Sequence, residues 1–247
     1  MKKIVLIVMI IGMIVGAYFL FFTASNEEST FLRINVNEGE IYNMHVNMTT
    51  SSDMNDDYMS SEIVMSYEVV EKREDEIDFN ISFSSIKMNG FSAEMGGDYS
   101  YNSKDVADDE FSQMMHLGYL DLLNKDLKTI TVTERGEIID EFFNVSSEIV
   151  GSLQNSDSFI VFPENEIEIG DSFTHTDITT GNKFTYIFDE VTSDEYMFKM
   201  NATVDGVEMS GTAGFFKSSC INSSSITEIS QDGINLKMEL KTEVVKK

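Results

Sequence analysis

The chain has 247 residues, of which 17 are Lys or Arg and 43 are Asp or Glu, so its formal net charge is −26. A field of that sign repels phosphate backbones, and we expect no nucleic-acid partner. Hydrophobic residues make up 42% of the chain, which favours a packed core over disorder, and the single Cys excludes an intrachain disulfide.

The amino terminus carries a long apolar segment. Lys2 and Lys3 precede an uninterrupted apolar run over residues 4–22. As a helix this run would be about 28 Å long, close to the hydrocarbon thickness of a bilayer, which favours a retained membrane anchor. A signal peptide that is cleaved within residues 23–25 is the alternative.

Both interpretations give the same localisation. The two lysines stay in the cytoplasm by the positive-inside rule, and residues 26–247 are exported. We therefore expect residues 1–25 to be a membrane anchor or signal segment and residues 26–247 to be one exported domain. The bulk of the chain would then be extracytoplasmic, and we expect it in the envelope of a bacterial cell.

Alternation of apolar and polar residues dominates the first half of the exported chain. Residues 42–48, 59–69 and 77–83 place apolar side chains on one face, the pattern of half-buried strands. The phase slips at Ser84 and Ser85, which predicts a β-bulge. Long alternating strands joined by short polar turns predict an antiparallel meander.

The middle of the chain changes character. Residues 90–110 are rich in Gly and Asp and predict a loop. Apolar residues then recur at helical spacing, which predicts helices over 111–123 and 141–153. A strand over 127–133 and a turn at residues 134–136 separate the two predicted helices.

Alternation returns after the predicted helices. Strands are predicted over 184–188, 196–204, 207–215 and 234–240, and an Asp-Gly pair between the second and third of them is a hairpin signal. The order of elements is therefore strands, two helices and strands again. No segment rich in Pro or Gly divides the chain into further domains.

Two segments of the second half resemble a family of exported bacterial proteins. They are K-T-I-T-V-T-E-R-G-E over residues 128–137 and F-P-E-N-E-I-E-I-G-D-S-F over residues 162–173, which fits the family element F-P-x-x-x-I-x-I-G-D-S-[FW]. That family also has Met-rich alternating strands early in the chain. More loosely, the chain resembles the LolA/LppX-like carriers, whose curved half-barrel sheet binds acyl chains or lipoproteins. The chain departs from the lipoprotein form because its single Cys is Cys220, far beyond the apolar run.

Pattern and resemblance together define the expected fold. It is an α+β domain with a strongly curved antiparallel β-sheet, a half-barrel, and about two helices on the concave face, preceded by an amino-terminal transmembrane or signal helix. Within the shared element, Pro163 is expected to begin an edge strand, Gly170 and Asp171 to form a turn, and Phe173 to enter the core. The resemblance implies a fold and a compartment but no reaction.

Residues that could support catalysis or metal binding are scattered. His45, His116 and His175 do not pair at ligand spacing, and we expect them on the surface. Acidic loops at residues 53–57 and 105–110 do not match the calcium-loop pattern, which leaves calcium binding open. No nucleophile motif or phosphate-binding loop is present. We predict no catalytic, cofactor-binding or metal site and no enzyme activity.

The supply of 16 Met and 18 Phe residues is the remaining signal. Flexible thioethers adapt to irregular apolar partners, but they also fill ordinary cores. The predicted helix over 111–123 is the most apolar helical face, and if an apolar ligand binds, its lining would be Phe111, Met114, Met115, Leu117 and Leu122.

Three functional hypotheses follow. The leading one is a non-enzymatic envelope protein, a binding or interaction module held at the membrane through residues 4–22, with lipid or another envelope protein as partner. The second is a LolA/LppX-like carrier of lipid or lipoprotein, and the third is an enzyme of unrecognised class. A cavity lined by Met and Phe would favour the carrier, whereas a solid core would favour the interaction module.

Overall fold

Twelve β-strands and one α-helix make up the described part of the chain. The computed structural model describes residues 29–53, 56–94, 96–120, 122–123, 125–144, 159–176, 181–204, 207–231 and 234–245. The strands are β1 (Ile41–Ser52), β2 (Tyr58–Lys72), β3 (Glu76–Ser92), β4 (Gly97–Asn102), β5 (Asp126–Thr133), β6 (Ile138–Phe143), β7 (Ser172–Thr176), β8 (Lys183–Val191), β9 (Glu195–Val204), β10 (Val207–Phe216), β11 (Asn222–Gln231) and β12 (Ile234–Val245), and the helix is α1 (Glu110–Tyr119).

All described strands belong to one antiparallel sheet that is not closed. Their order is β6-β5-β3-β2-β1-β12-β11-β10-β9-β8-β7, and β4 pairs with the second half of β3. The pairing of β1 with β12 joins two arms, one from β1 to β6 and the other from β7 to β12. The predicted antiparallel meander is confirmed, and the sheet contains one in each arm.

The alternation of side chains sets which face of each strand is buried. On β9, Phe198, Met200 and Ala202 are buried, whereas the residues between them are exposed, as the pattern predicts. Between β2 and β3 the pairing shifts by one residue, because Val64 pairs with Ser85 and Met65 pairs with Phe83. The predicted β-bulge is therefore confirmed.

The sheet curls so that its two arms approach each other. Phe79 on β3 and Phe173 on β7 lie eight strands apart in the sheet, a separation of about 38 Å if the sheet were flat. Phe79 lies 4.9 Å from Phe159 and Phe173 lies 6.3 Å from Phe162, measured between ring centroids. Phe159 and Phe162 are three residues apart in the chain, and three residues of extended chain span at most about 11 Å. The two arms are therefore closer together than they would be in a flat sheet.

Helix α1 covers the inner face of the sheet at one end of β2 and β3. Asp109 caps it by accepting a hydrogen bond from the backbone N–H of Ser112 at 2.8 Å. Its residues Phe111, Met115 and Tyr119 pack against a small cluster built on β2, β3 and β4. The helix predicted over 111–123 is confirmed as far as residue 119, and the chain beyond it turns.

The prediction of a second helix over 141–153 is wrong for the residues that can be compared. Residues 141–143 belong to strand β6, which pairs with β5, and residues 145–153 lie outside the described chain. The turn at Gly136, where φ is +88°, sends the chain back along β5 as a hairpin and overrides the helical spacing of the apolar residues. The expected α+β class is corrected to a mostly β fold with one helix among the described residues.

Three further predictions can be compared with the structure. Residues 90–110 are not all loop, because β4 pairs with β3 within them. Pro163 does not begin a strand, although Gly170 does form the predicted turn, with φ at +99°. Among the described residues no helix is long and apolar enough to span a membrane, and the predicted anchor or signal segment over 1–25 lies outside them.

Candidate binding cavity

The inner face of the curled sheet encloses an apolar cavity of about 470 Å³. Both arms contribute to its wall, together with the segment that crosses between them. The lining side chains come mainly from Met, Phe, Tyr, Ile and Leu, and they include Ile34, Met44, Val46, Met65, Tyr67, Phe159, Ile160, Phe162, Phe184, Tyr186, Met200, Met209, Ala213, Phe215, Met238 and Leu240.

Small side chains on β10 and β11 produce the hollow. In the sheet Ala213 lies opposite Ser225, and Gly211 lies opposite Thr227. Larger residues flank this pair of strands on both sides, with Met200 on β9 and leucine and methionine side chains on β12. A Cβ at Gly211 would collide with the carbonyl oxygen of Ile226. Only glycine therefore allows β10 and β11 to lie this close together at this position.

The cavity is closed at one end of the strands and more open at the other. Along β1 the inward side chains change from Tyr42, which is 2% exposed, to Thr50, which is half-buried. Along β8, which runs antiparallel across the sheet, Phe188 is fully buried and Phe184 is half-buried at the matching ends. Among the described residues, the inner face is therefore less covered at the end where β1 finishes and β8 begins.

Residues 159–164, which we call the strap, pass across the cavity between the two arms. Phe159 packs on Tyr67 of β2 at 6.1 Å, and Phe162 packs on Phe215 of β10 at 5.5 Å, between ring centroids. The backbone of the strap also approaches Gly136 so closely that a Cβ there would collide with the carbonyl oxygen of Ile160. The strap thus forms one wall of the cavity.

Two arginines and a histidine hold the strap in place. Arg33 donates hydrogen bonds to the carbonyl oxygens of Pro163 and Glu164, both at 2.8 Å. Arg135 donates from Nε to the carbonyl oxygen of Phe162 at 3.0 Å. The backbone N–H of Val161 donates to Nδ1 of His175 at 3.4 Å. Both guanidinium groups therefore bind strap carbonyl oxygens, and Arg135 also forms ion pairs with Glu137 and Glu164.

Burial favours the neutral form of two titratable groups in the lining, Tyr186 and Cys220. Burial raises the pKa of the Tyr186 hydroxyl well above its usual range. Burial also raises the pKa of the Cys220 thiol to about 11. Cys220 lies in the turn before β11 with φ at +52°, and it is a protonated, unreactive thiol at neutral pH.

The five residues predicted to line a ligand lie elsewhere. Phe111 and Met115 lie on the side of helix α1 that packs against the sheet, and Leu122 is half-buried in the turn after the helix. Met114 and Leu117 point outward and are 60% and 74% exposed. None of the five lines the cavity described above, and their contact with a ligand stays a prediction.

The sequence analysis missed the residues that shape the cavity. Gly211, Ala213, Ser225 and Thr227 are ordinary in alternating strands, and only their pairing brings four small side chains together. The available signal was the pattern of small residues at every second position on two successive strands. The large supply of methionines does contribute, because Met44, Met65, Met200, Met209 and Met238 line the cavity.

One of the histidines and two residues of the acidic loops make hydrogen bonds within the fold. His175 is buried at 7% exposure, contrary to the surface position predicted for it, because its strand turns it towards the strap. Asp109 caps α1, and Asp57 accepts a hydrogen bond from the backbone N–H of Ala93 at 2.8 Å. Within the described ranges no group of three or more His, Cys, Asp or Glu residues could hold a metal ion.

The comparisons with known proteins concern the fold. No protein-family model matches the chain, and no curated protein matches its sequence. The structure is similar to that of lipovitellin, solved to describe lipid–protein interactions, with a TM-score of 0.50 and 12% identity over 85% of this chain. The chain spans only 26% of the lipovitellin chain. A DUF1329 family protein from Desulfovibrio piger gives a TM-score of 0.23 at 5% identity over 84% of this chain and 85% of its own, which is too low to support an argument.

Proposed function

We propose that this chain is a non-enzymatic binding protein that holds one apolar ligand, an acyl chain or a molecule of similar width, inside the curled sheet. The observation that carries the proposal is the cavity of about 470 Å³ with its mostly apolar lining. Volumes of this size are typical of small-molecule sites, and a wall of hydrophobic and aromatic side chains is typical of their chemistry.

The size of the cavity fits a single chain. If each methylene group takes about the 30 Å³ that one water molecule occupies in the liquid, the cavity admits roughly fifteen of them. Five methionines line it, and flexible thioethers adapt to chains of different length and curvature. The cavity is lined by Met and Phe, which is the feature expected of a carrier rather than of a solid interaction module.

Two similarities support the proposal. The curled, open sheet is compatible with the half-barrel of the LolA/LppX-like carriers, which bind acyl chains or lipoproteins. Lipovitellin, whose structure was solved to describe lipid–protein interactions, shares the fold over a quarter of its length. With an apolar anchor or signal over residues 4–22, the cavity would lie on the extracytoplasmic side of the membrane.

Organic extraction of the purified full chain, followed by mass spectrometry, tests the proposal. We expect an apolar molecule in stoichiometric amount. Because a bound lipid can be lost on purification, the second measurement is titration with the neutral fluorophore N-phenyl-1-naphthylamine, which we expect to bind saturably. Absence of both the extracted molecule and the saturable binding would overturn the proposal.

A matched pair of variants places the ligand in the cavity. Ala213→Leu adds three carbon atoms to the cavity wall, so we expect the longest bound chain to shorten by about three methylene groups, with a loss of about 2 kcal/mol for the longest ligand at about 0.8 kcal/mol per methylene. Thr212→Leu places the same leucine side chain at the adjacent residue, which is exposed on the outer face, and should leave binding unchanged. Equal effects of the two variants would contradict the proposed location.

A further inference from the structure

We infer that the ligand of this cavity is uncharged and carries a hydroxyl group that lies against strand β11. The inference rests on the proposed function and adds the chemical class of the ligand to it. It depends on two features of the wall: its described residues include no Asp, Glu, Lys or Arg, and one strand carries a line of polar side chains.

The described part of the lining carries no carboxylate, ammonium or guanidinium group. Among the described residues that form it there is no Asp, Glu, Lys or Arg. His175 belongs to the lining, and its Nδ1 accepts a hydrogen bond from the N–H of Val161, so this nitrogen is directed to the strap. A carboxylate or phosphate inside the cavity would therefore be buried without a counter-charge, which is far more costly than burying a neutral polar group.

The nearby arginines do not change this conclusion. Arg33 and Arg135 donate hydrogen bonds to carbonyl oxygens of the strap, and neither belongs to the lining. The chain as a whole carries a net charge of −26, which adds a repulsive field for anionic ligands. Both the local and the overall electrostatics therefore favour a neutral ligand.

Strand β11 carries polar groups into an otherwise apolar wall. Asn222, Ser225 and Thr227 all line the cavity. Opposite Ser225 and Thr227, β10 offers Ala213 and Gly211, so the space above these two hydroxyl groups is left open. A hydroxyl group on the ligand can both donate and accept there, which an alkyl chloride or a hydrocarbon cannot do.

The carboxamide of Asn222 adds to this polar line. Its Oδ1 is buried and has no hydrogen-bond partner in the described part of the chain. Buried acceptors are rarely left without a donor, since the cost of desolvation is then uncompensated. A ligand hydroxyl group next to Asn222 would supply the donor that the described protein does not.

The experiment is a displacement assay on the full chain. N-phenyl-1-naphthylamine is the bound probe, and the competitors are octan-1-ol, octanoate and 1-chlorooctane at about pH 8, where a carboxylic acid is ionised. We expect octan-1-ol to compete at least about tenfold better than octanoate, because the anion has no counter-charge in the cavity. We also expect it to compete roughly two- to tenfold better than 1-chlorooctane, the range that one hydrogen bond accounts for.

Two isosteric variants locate the hydroxyl group. Thr227→Val removes the hydroxyl from the lining, and the advantage of octan-1-ol over 1-chlorooctane should fall to about twofold or less. Thr242→Val is the matched control, because Thr242 is buried at 5% exposure in the same sheet but does not line the cavity, and the advantage should persist. Ser225→Ala provides a second lining variant if Thr227→Val does not fold.

The outcomes separate the two proposals. Failure of the probe to bind the unaltered chain would overturn the proposed function. Saturable probe binding with octanoate as strong a competitor as octan-1-ol would leave the proposed function standing and overturn the inference. The inference would also fail if Thr227→Val and Ser225→Ala both retained the full advantage of octan-1-ol over 1-chlorooctane.

Discussion

Gly136 offers a direct test of the contact between the strap and the β5–β6 hairpin. Its φ is +88°, and a Cβ there would collide with the carbonyl oxygen of Ile160. In Gly136→Ala the left-handed backbone costs about 1 kcal/mol, and displacement of the strap adds about 1–3 kcal/mol, as overpacking does elsewhere. We therefore expect the free energy of unfolding to fall by about 2–4 kcal/mol.

Gly39→Ala is the control for the backbone contribution. Gly39 has a similar φ of +80°, and nothing lies within 4 Å of the added Cβ. Its substitution should therefore cost only about 1 kcal/mol. Urea unfolding followed by circular dichroism measures both values, and the probe titration should show weaker binding only for Gly136→Ala, because the displaced strap includes cavity wall. Equal destabilisation by the two variants would refute the close approach of Ile160.

The remaining predictions concern burial, charge and capping. Phe162→Ala should lower the free energy of unfolding by about 3–5 kcal/mol because the ring is fully buried, whereas Phe142→Ala, at a side chain 65% exposed, should change it by less than about 0.5 kcal/mol in the same urea titration. The pKa of the Cys220 thiol is raised from its usual 9.0 to about 11 in the folded chain. Between these values the thiol stays protonated in the folded chain but ionises in the unfolded chain. The stabilisation is complete below about pH 9 and is lost towards pH 11, so the stability difference between the unaltered chain and Cys220→Ser should shrink by up to about 3 kcal/mol over that range, and a constant difference would contradict it. The hydrogen bonds from Ser112 hold the pKa of Asp109 below its usual range, so the cap stabilises α1 above the unfolded pKa and is lost as the pH falls through the folded one. Asp109→Ala should lower the melting temperature at neutral pH, Asn should retain the cap, and the difference between the Ala variant and the unaltered chain should vanish in acid.

Strand registers could be predicted from the sequence because one face of each strand is buried. The alternation through Phe198, Met200 and Ala202 has one solution that buries its apolar residues, and the slip at Ser84 shows as a break in phase. The helix over 141–153 could not be judged in this way, since the apolar spacing near Phe142 also suits an edge strand. The pairing of β6 with β5 decided the outcome for residues 141–143.

The candidate site depends on contacts that no local pattern contains. Helix α1 has apolar residues around most of its surface, and only the packing of Phe111 on the sheet shows that Met114 and Leu117 point outward. The cavity exists because Ala213 and Ser225 meet across two strands, and their pairing depends on the register of the whole arm. Sequence patterns give the supply of apolar residues, and the sheet topology decides which of them surround a space.

Methionine methyl NMR tests the central claim, the location of the ligand, most directly. The full chain, labelled at the methionine methyl groups, is titrated with octan-1-ol, and each signal is assigned by single substitution. We expect shifts at Met200, Met209 and Met238, which line the cavity, and none at Met114 and Met115 on helix α1. Shifts confined to Met114 and Met115, or no saturable shift at any methionine, would contradict a ligand inside the curled sheet.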